Sequence, residues 1–171
     1  MEKMLASGRF HVLCYDENGD LKWEEGNSNL VVNSGIQYMA GTALTSVTQI
    51  TSWYIGLVTG PGSGTTFAAG DTMASHAGWT EFTGYSQSTR VAPTFATATT
   101  ANPSVVTNSA SVAVFSINAG GTVAGAFLTS GSAKSGTSGT LFSGSDFTGG
   151  DRTVVNGDTL NVTYTFSLTA T

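Results

Sequence analysis

Residues 160–168 constrain the fold more than any other stretch of this chain. Leu160, Val162, Tyr164, Phe166 and Leu168 fall on one side of an extended backbone, and Asn161, Thr163, Thr165 and Ser167 fall on the other. Successive side chains of a strand point to opposite faces, so this alternation describes a strand buried on one side in an antiparallel sheet. Gly157-Asp158 supplies the turn that leads into it.

The same logic applies near the start of the chain. In residues 9–15, Phe10, Val12 and Cys14 alternate with His11, Leu13 and Tyr15, and Asn18-Gly19 offers the positive φ of a tight hairpin turn. Leu21 to Trp23 begin the return strand. Apolar groups on both faces imply a hairpin covered on both sides. Short strands are further expected at residues 53–58, 85–91, 111–118, 122–129, 141–142 and 153–155. One helix is expected over residues 33–45, capped by Asn33 or Ser34, with Ile36, Met39, Ala40 and Ala43 or Leu44 at helical spacing and Gly41 weakening it. Residues 60–84 are Gly-rich, with Gly60-Pro61-Gly62 closing the preceding strand. They nevertheless hold Phe67, Met73, Trp79 and Phe82, so this long loop should be pinned to the body or to a partner. Residues 96–108 and 130–139 read as connections. Together these elements predict an all-β fold, an antiparallel β-sandwich of jelly-roll-like type with one short helix near the N-terminal hairpin. The expected layout is one domain over 1–171: an arm (1–8), a hairpin (9–25), the helix (33–45) and the main sandwich (53–171).

Composition narrows the functional classes. Charged residues make up only 10% of the chain against about 25% in an average globular protein. Such a surface is tolerable where other subunits cover it. Six basic residues and a net charge of −5 argue against binding nucleic-acid phosphates or an anionic membrane surface. No run approaches the ~20 apolar residues of a membrane-spanning helix, and Met1 to Leu5 lack a signal-peptide core. With one cysteine, Cys14, neither an internal disulfide nor a cysteine-based zinc cluster is expected, which suits synthesis in a reducing cytoplasm.

Candidate chemistry is sparse. A nucleophile needs a positioned base, and only His11 and His76 are available. His11 sits inside an alternating strand, and His76 in the long loop reads first as a residue bonded to backbone. Asp71, Glu81, Asp146, Asp151 and Asp158 are the carboxylates considered for a glycosidase pair, but the last three stand in turn-like contexts. Asp16-Glu17-Asn18-Gly19-Asp20 starts like a calcium loop, yet Leu21 replaces the required Gly and Asn27 the closing Glu. Asn161-Val162-Thr163 matches a glycosylation sequon in mid-strand. The expectation is a protein without catalytic activity, cofactor or metal. Trp23, Trp53, Trp79 and Tyr85 are the candidates for a sugar-stacking platform, of which Trp79 and Tyr85 are the better placed. Aromatics of this kind equally anchor protein interfaces.

Several segments resemble small structural proteins of tailed bacteriophages. They are Asn29-Leu30-Val31-Val32-Asn33-Ser34-Gly35 before the helix, Trp53-Tyr54-Ile55-Gly56-Leu57-Val58, and Asp71-Thr72-Met73-Ala74-Ser75-His76-Ala77-Gly78-Trp79-Thr80-Glu81 followed by Tyr85 and Arg90. Gly125-Ala126-Phe127-Leu128, Gly139-Thr140-Leu141-Phe142 and Gly157-Asp158-Thr159-Leu160 extend the pattern, which runs from about Arg9 onward. Within that class the pattern resembles capsid decoration (cement) proteins. The resemblance implies a β-sandwich on the outer surface of a phage head that clamps neighbouring copies of the major capsid protein, often as a trimer or dimer. On that reading Met4, Leu5, Phe10, Tyr15 and Trp23, in the arm and hairpin, contact the capsid. The 71–81 loop would serve contacts between copies through His76, Trp79 and Glu81, with Tyr85 and Arg90 beside it. His76, Glu81 and Arg90 would orient the loop by hydrogen bonds. The alternatives are a tail or fibre component binding host carbohydrate through Trp79 and Tyr85, and a non-viral carbohydrate-binding module.

Overall fold

The computed structural model describes residues 2–59 and 66–171, and the turn expected at Gly60-Pro61-Gly62 lies outside the described residues. The chain forms two five-stranded antiparallel sheets. In the first, β12 (Thr159–Ala170) is central. It pairs along its whole length with β1 (Met4–Tyr15), from Met4 opposite Ala170 to Tyr15 opposite Thr159. On its other side it meets β6 (Ser104–Thr107) and β7 (Ala113–Ser116), and β2 (Leu21–Ser28) forms the far edge beyond β1. The second sheet runs β3 (Leu30–Val31), β10 (Leu141–Asp146), β9 (Gly125–Thr129), β4 (Tyr54–Thr59) and β5 (Thr80–Phe82). A separate ribbon joins β8 (Gly121–Val123) to β11 (Arg152–Val154). Among the described residues this is an all-β antiparallel sandwich with a single short helix, α1 (Asn33–Leu44).

Alternation builds the core. Phe10, Val12 and Cys14 of β1 and Leu160, Val162 and Tyr164 of β12 face inward and meet Ile55 and Leu57 of β4 and Ala126 and Leu128 of β9. The outward residues His11, Leu13 and Tyr15 remain half-exposed, so the hairpin is covered on one side only. The second sheet is covered on both faces. Behind it, Val58, Phe127, Leu141 and Val32 pack against Met73 and Trp79 from the loop before β5. Apolar residues on both faces turn β4 into a continuous apolar run instead of an alternating one. Gly56 is required there, because a Cβ on it would lie 2.2 Å from the Phe127 ring.

Several elements differ from the sequence expectation. Met4 to Gly8 are no free arm; they continue β1 and pair with β12 as far as Met4. Residues 85–91 make only two isolated bridges, Tyr85 with Ile117 and Val91 with Ile55, because Arg90 turns inward here to bind a carboxylate. β5 and β6 arise inside stretches read as loops, and 122–129 divides into β8 and β9. The helix occupies the expected span, but its N-cap is Val32, without a side-chain cap. Ser34 Oγ donates instead to the Leu141 carbonyl, at 2.6 Å. Its one fully buried residue is Gly35, where a Cβ would stand 2.3 Å from the Phe142 carbonyl oxygen. The helix therefore lies directly on the backbone of β10, and its apolar residues turn elsewhere.

Two titratable groups in the core give the fold an alkaline limit. Burial, with Asp158 nearby, pushes the Cys14 thiol up to about 12, and burial likewise raises Tyr164 to about 12. The hydrogen bond that Asn29 Nδ2 donates to the Tyr164 hydroxyl, and the one shared with Ser143 Oγ, oppose that rise only in part. Between the unfolded values, near 9 for the thiol and 10 for the phenol, and pH 12, the native chain holds protons that the unfolded chain has lost. Stability is present in full below pH 9 and falls as the pH rises through that window. Urea midpoints at pH 8 and pH 11 test this, with a lower midpoint expected at pH 11. Native Cys14 should also resist a thiol reagent at pH 8 that modifies it at once in urea.

Candidate functional site

Two regions gather the residues singled out in the sequence, and they do different things. The first lies over the outer face of the second sheet. Trp79 is 1% exposed and sits among Phe67, Phe127 and His76, whose imidazole stacks on the indole at 3.8 Å. His76 Nδ1 donates to the Trp79 carbonyl at 2.9 Å. The indole N–H donates to Asp71 Oδ2 at 3.0 Å, and the same oxygen accepts the Ala68 N–H. Asp71 and His76 thus fold the loop back onto itself.

Beside this stack lies a buried ion pair. Glu81 on β5 takes Arg90 in bidentate fashion, Nε to Oε1 at 2.9 Å and a terminal nitrogen to Oε2 at 2.8 Å. The remaining guanidinium donors reach the Gly131 and Gly136 carbonyls, and the Ser135 N–H donates to Glu81 Oε2 at 2.6 Å. Arg90 is 2% exposed. This salt bridge therefore fixes residues 131–136 to β5. Lys134 extends the same connection, donating to the Tyr85 carbonyl at 2.5 Å and lying over the Tyr85 ring. Burial and the Glu81 charge raise the Tyr85 phenol well above its ordinary value. A cleft of about 290 Å³ remains, lined by His76, Glu81, Arg90 and Thr137 among others. Both Glu81 oxygens already accept hydrogen bonds, so this carboxylate is a tether and not a free base.

The second region is apolar and open. At the end of the sandwich where β1 begins, Met4 is 76% exposed and Leu5 58%, next to Leu30 on β3 and to Ile36 and Leu44 on α1, the last 86% exposed. A groove of about 760 Å³ runs between them, with Met4, Ala6, Leu30, Ile36, Ala40 and Leu168 in its walls. On the other side of α1 a second cleft of about 330 Å³ is lined by aromatic rings, including Trp53, Phe95, Phe142 and Tyr164. Both share Met39 and Leu168, so the helix stands as a ridge between two apolar hollows. Soluble monomers seldom expose a contiguous apolar patch beyond a few hundred Å² unless something binds there.

These positions correct several expectations. Phe10, Trp79, Tyr85 and Arg90 are buried inside this subunit and unavailable to a partner. A sugar cannot stack on Trp79 or Tyr85, because neighbouring side chains already occupy their faces. Tyr15 and Trp23 are half-buried, Trp23 packing edge-on against Phe147 and donating to the Thr153 carbonyl at 3.3 Å. Met4 and Leu5 are exposed as expected; Met4 borders the open groove, while Leu5 points to the opposite face of β1. Sequence reading missed Leu30, Ile36, Leu44 and Leu168 as surface residues, because helical spacing identifies an apolar face without saying what faces it. Among the described residues no cluster of His, Cys, Asp and Glu is arranged to hold a metal ion. No family model, curated protein or solved structure matches this chain.

Proposed function

We propose that this chain is a virion structural protein that decorates a phage capsid and stabilises it by binding across coat subunits on its outer surface. One observation carries the reading: the exposed apolar groove edged by Met4, Leu30, Ile36 and Leu44 on a chain with few charges. The resemblance of residues 29–35, 53–58 and 71–81 to small phage structural proteins supplies the context. The α1 ridge is the surface assigned to the major capsid protein, since Ile36 and Leu44 project from it into solvent. The Glu81–Arg90 tether and the Trp79 stack keep the rest of the body rigid, so docking costs little ordering entropy.

The energetic consequence is linkage. A protein that binds the expanded lattice and not its alternatives shifts the equilibrium toward that lattice by its differential affinity. Cryo-electron microscopy of the intact particle tests the assignment. Density for this fold in many copies over the head is expected, and a few copies at the tail tip would sink it. Ile36→Glu with Leu44→Glu should leave the isolated protein folded and reduce its occupancy on the head at least tenfold.

A further inference from the structure

The start of β1 has one side paired and one side open. Lys3 and Thr171 exchange two backbone hydrogen bonds, at 2.7 and 2.8 Å, so odd-numbered residues here direct their N–H and C=O groups toward β12. Even-numbered residues therefore point the other way. Gly8 confirms it, its carbonyl accepting the Asn29 N–H on the β2 side at 2.9 Å. β2 pairs with β1 only from Arg9 onward. Among the described residues, no strand pairs with Met4 or Ala6 on that side. Four backbone groups at one exposed edge form a template for strand addition.

We infer that this edge pairs with the same edge of a second copy of this chain, antiparallel across a two-fold axis at Leu5. The register follows from the groups present. A two-fold axis normal to the sheet keeps each face on its own side, so even residues pair with even and odd with odd. Placing Leu5 opposite Leu5 of the second copy sets Met4 against Ala6 twice, and those two residues carry the open donors and acceptors. All four groups on each edge are then satisfied. Shifting the axis to Ala6 brings Met4 opposite Gly8, whose carbonyl is already used, and Lys3 opposite Arg9, a like-charge pair. Shifting it to Met4 sets Lys3 against Leu5 and moves the pairing out to Glu2. Of the three, the Leu5 register alone pairs Met4 with Ala6 and sets the exposed Leu5 side chains against each other.

Side-chain burial favours the same arrangement. Leu5 is 58% exposed and would meet its symmetry mate in a non-hydrogen-bonded pair, where side chains approach most closely. Met4, 76% exposed on the other face, would lie beside the second copy's Ala6 and cover the mouth of its groove. Such a contact is isologous and closes at two copies, so it yields a dimer and not a filament. The inference goes beyond the capsid reading and does not depend on it.

Sedimentation equilibrium of the full-length protein, with disulfide trapping, tests the pairing. The wild type should be a dimer, and Leu5→Lys should weaken association at least tenfold while circular dichroism stays unchanged. Mixing Leu5→Lys with Leu5→Glu should restore dimers, an effect that misfolding does not produce. Facing Cα atoms in this register stand about 4.5 Å apart, within disulfide reach. Leu5→Cys should therefore cross-link with itself. Ser7→Cys should not, although it should cross-link with Lys3→Cys in a mixture. A monomeric wild type, a dimer indifferent to Leu5→Lys, or self-linking at Ser7→Cys in place of Leu5→Cys would overturn the inference. A monomer would leave the edge to a strand from a different protein. None of these outcomes bears on where the protein sits on a particle.

Discussion

Replacing Arg90 with methionine should lower the stability of this protein by about 3–5 kcal/mol, the cost of stranding one member of a buried ion pair. The Glu81 side chain is only 5% exposed, and it would lose both guanidinium bonds while keeping a single backbone donor from Ser135. The Gly131 and Gly136 carbonyls would lose their partner as well. For a chain of this size the midpoint of thermal unfolding should fall by on the order of 10 °C. Arg90→Lys should recover little, because an ammonium cannot bind a carboxylate in bidentate fashion and reach two carbonyls at once. Arg90→Met combined with Glu81→Leu should be more stable than Arg90→Met alone, since no charge is then left buried. Calorimetry on the four proteins distinguishes a paired tether from simple packing. If the double variant is no better than the single one, the pair is not the unit that acts.

The contrast between Arg90 and Phe10 shows what the sequence made legible. Phe10 was placed in a strand by alternation, and the strand is there, because burying one face of an extended segment needs no knowledge of its partner. Its assignment to an interface failed, since alternation does not say whether the covering surface belongs to the same chain. The pairing of Arg90 with Glu81 had no local signal. It joins residues nine apart across a bend, and it is completed by carbonyls some forty residues further on. The helix posed a related problem. Its span was legible from spacing, but its seat on β10 rests on Gly35, a residue that periodicity treats as a defect. The anchoring of the long loop was foreseen from Met73 and Trp79, although the strand at Thr80–Phe82 was not. The open end was half legible. Met4 and Leu5 were named as surface residues from a supposed arm, while the groove beside them needed β3, α1 and β12 brought together.

Trp79→Ala should be the other large effect, costing about 3–5 kcal/mol as a buried indole is removed and its site collapses only in part. Four rings meet there, with His76, Phe67 and Phe127 all in contact with Trp79, so no single neighbour can fill the space. Trp79→Phe separates packing from hydrogen bonding. It keeps an aromatic ring but leaves Asp71 Oδ2 without its indole donor, which should cost about 1–3 kcal/mol. The two effects have different local signatures. Loss of the stack should release the segment that Trp79 pins, so limited proteolysis of Trp79→Ala should cut within residues 66–79 well before the sandwich unfolds. Trp79→Phe should keep the segment protected while lowering the urea midpoint. The backbone bond from His76 to residue 79 survives both changes, yet its imidazole loses the indole face only in the alanine variant. Cleavage that proceeds equally in all three proteins would mean that the loop is held by something other than the indole. Equal urea midpoints for the wild type and Trp79→Phe would mean that the bond to Asp71 contributes nothing and that packing alone anchors the loop.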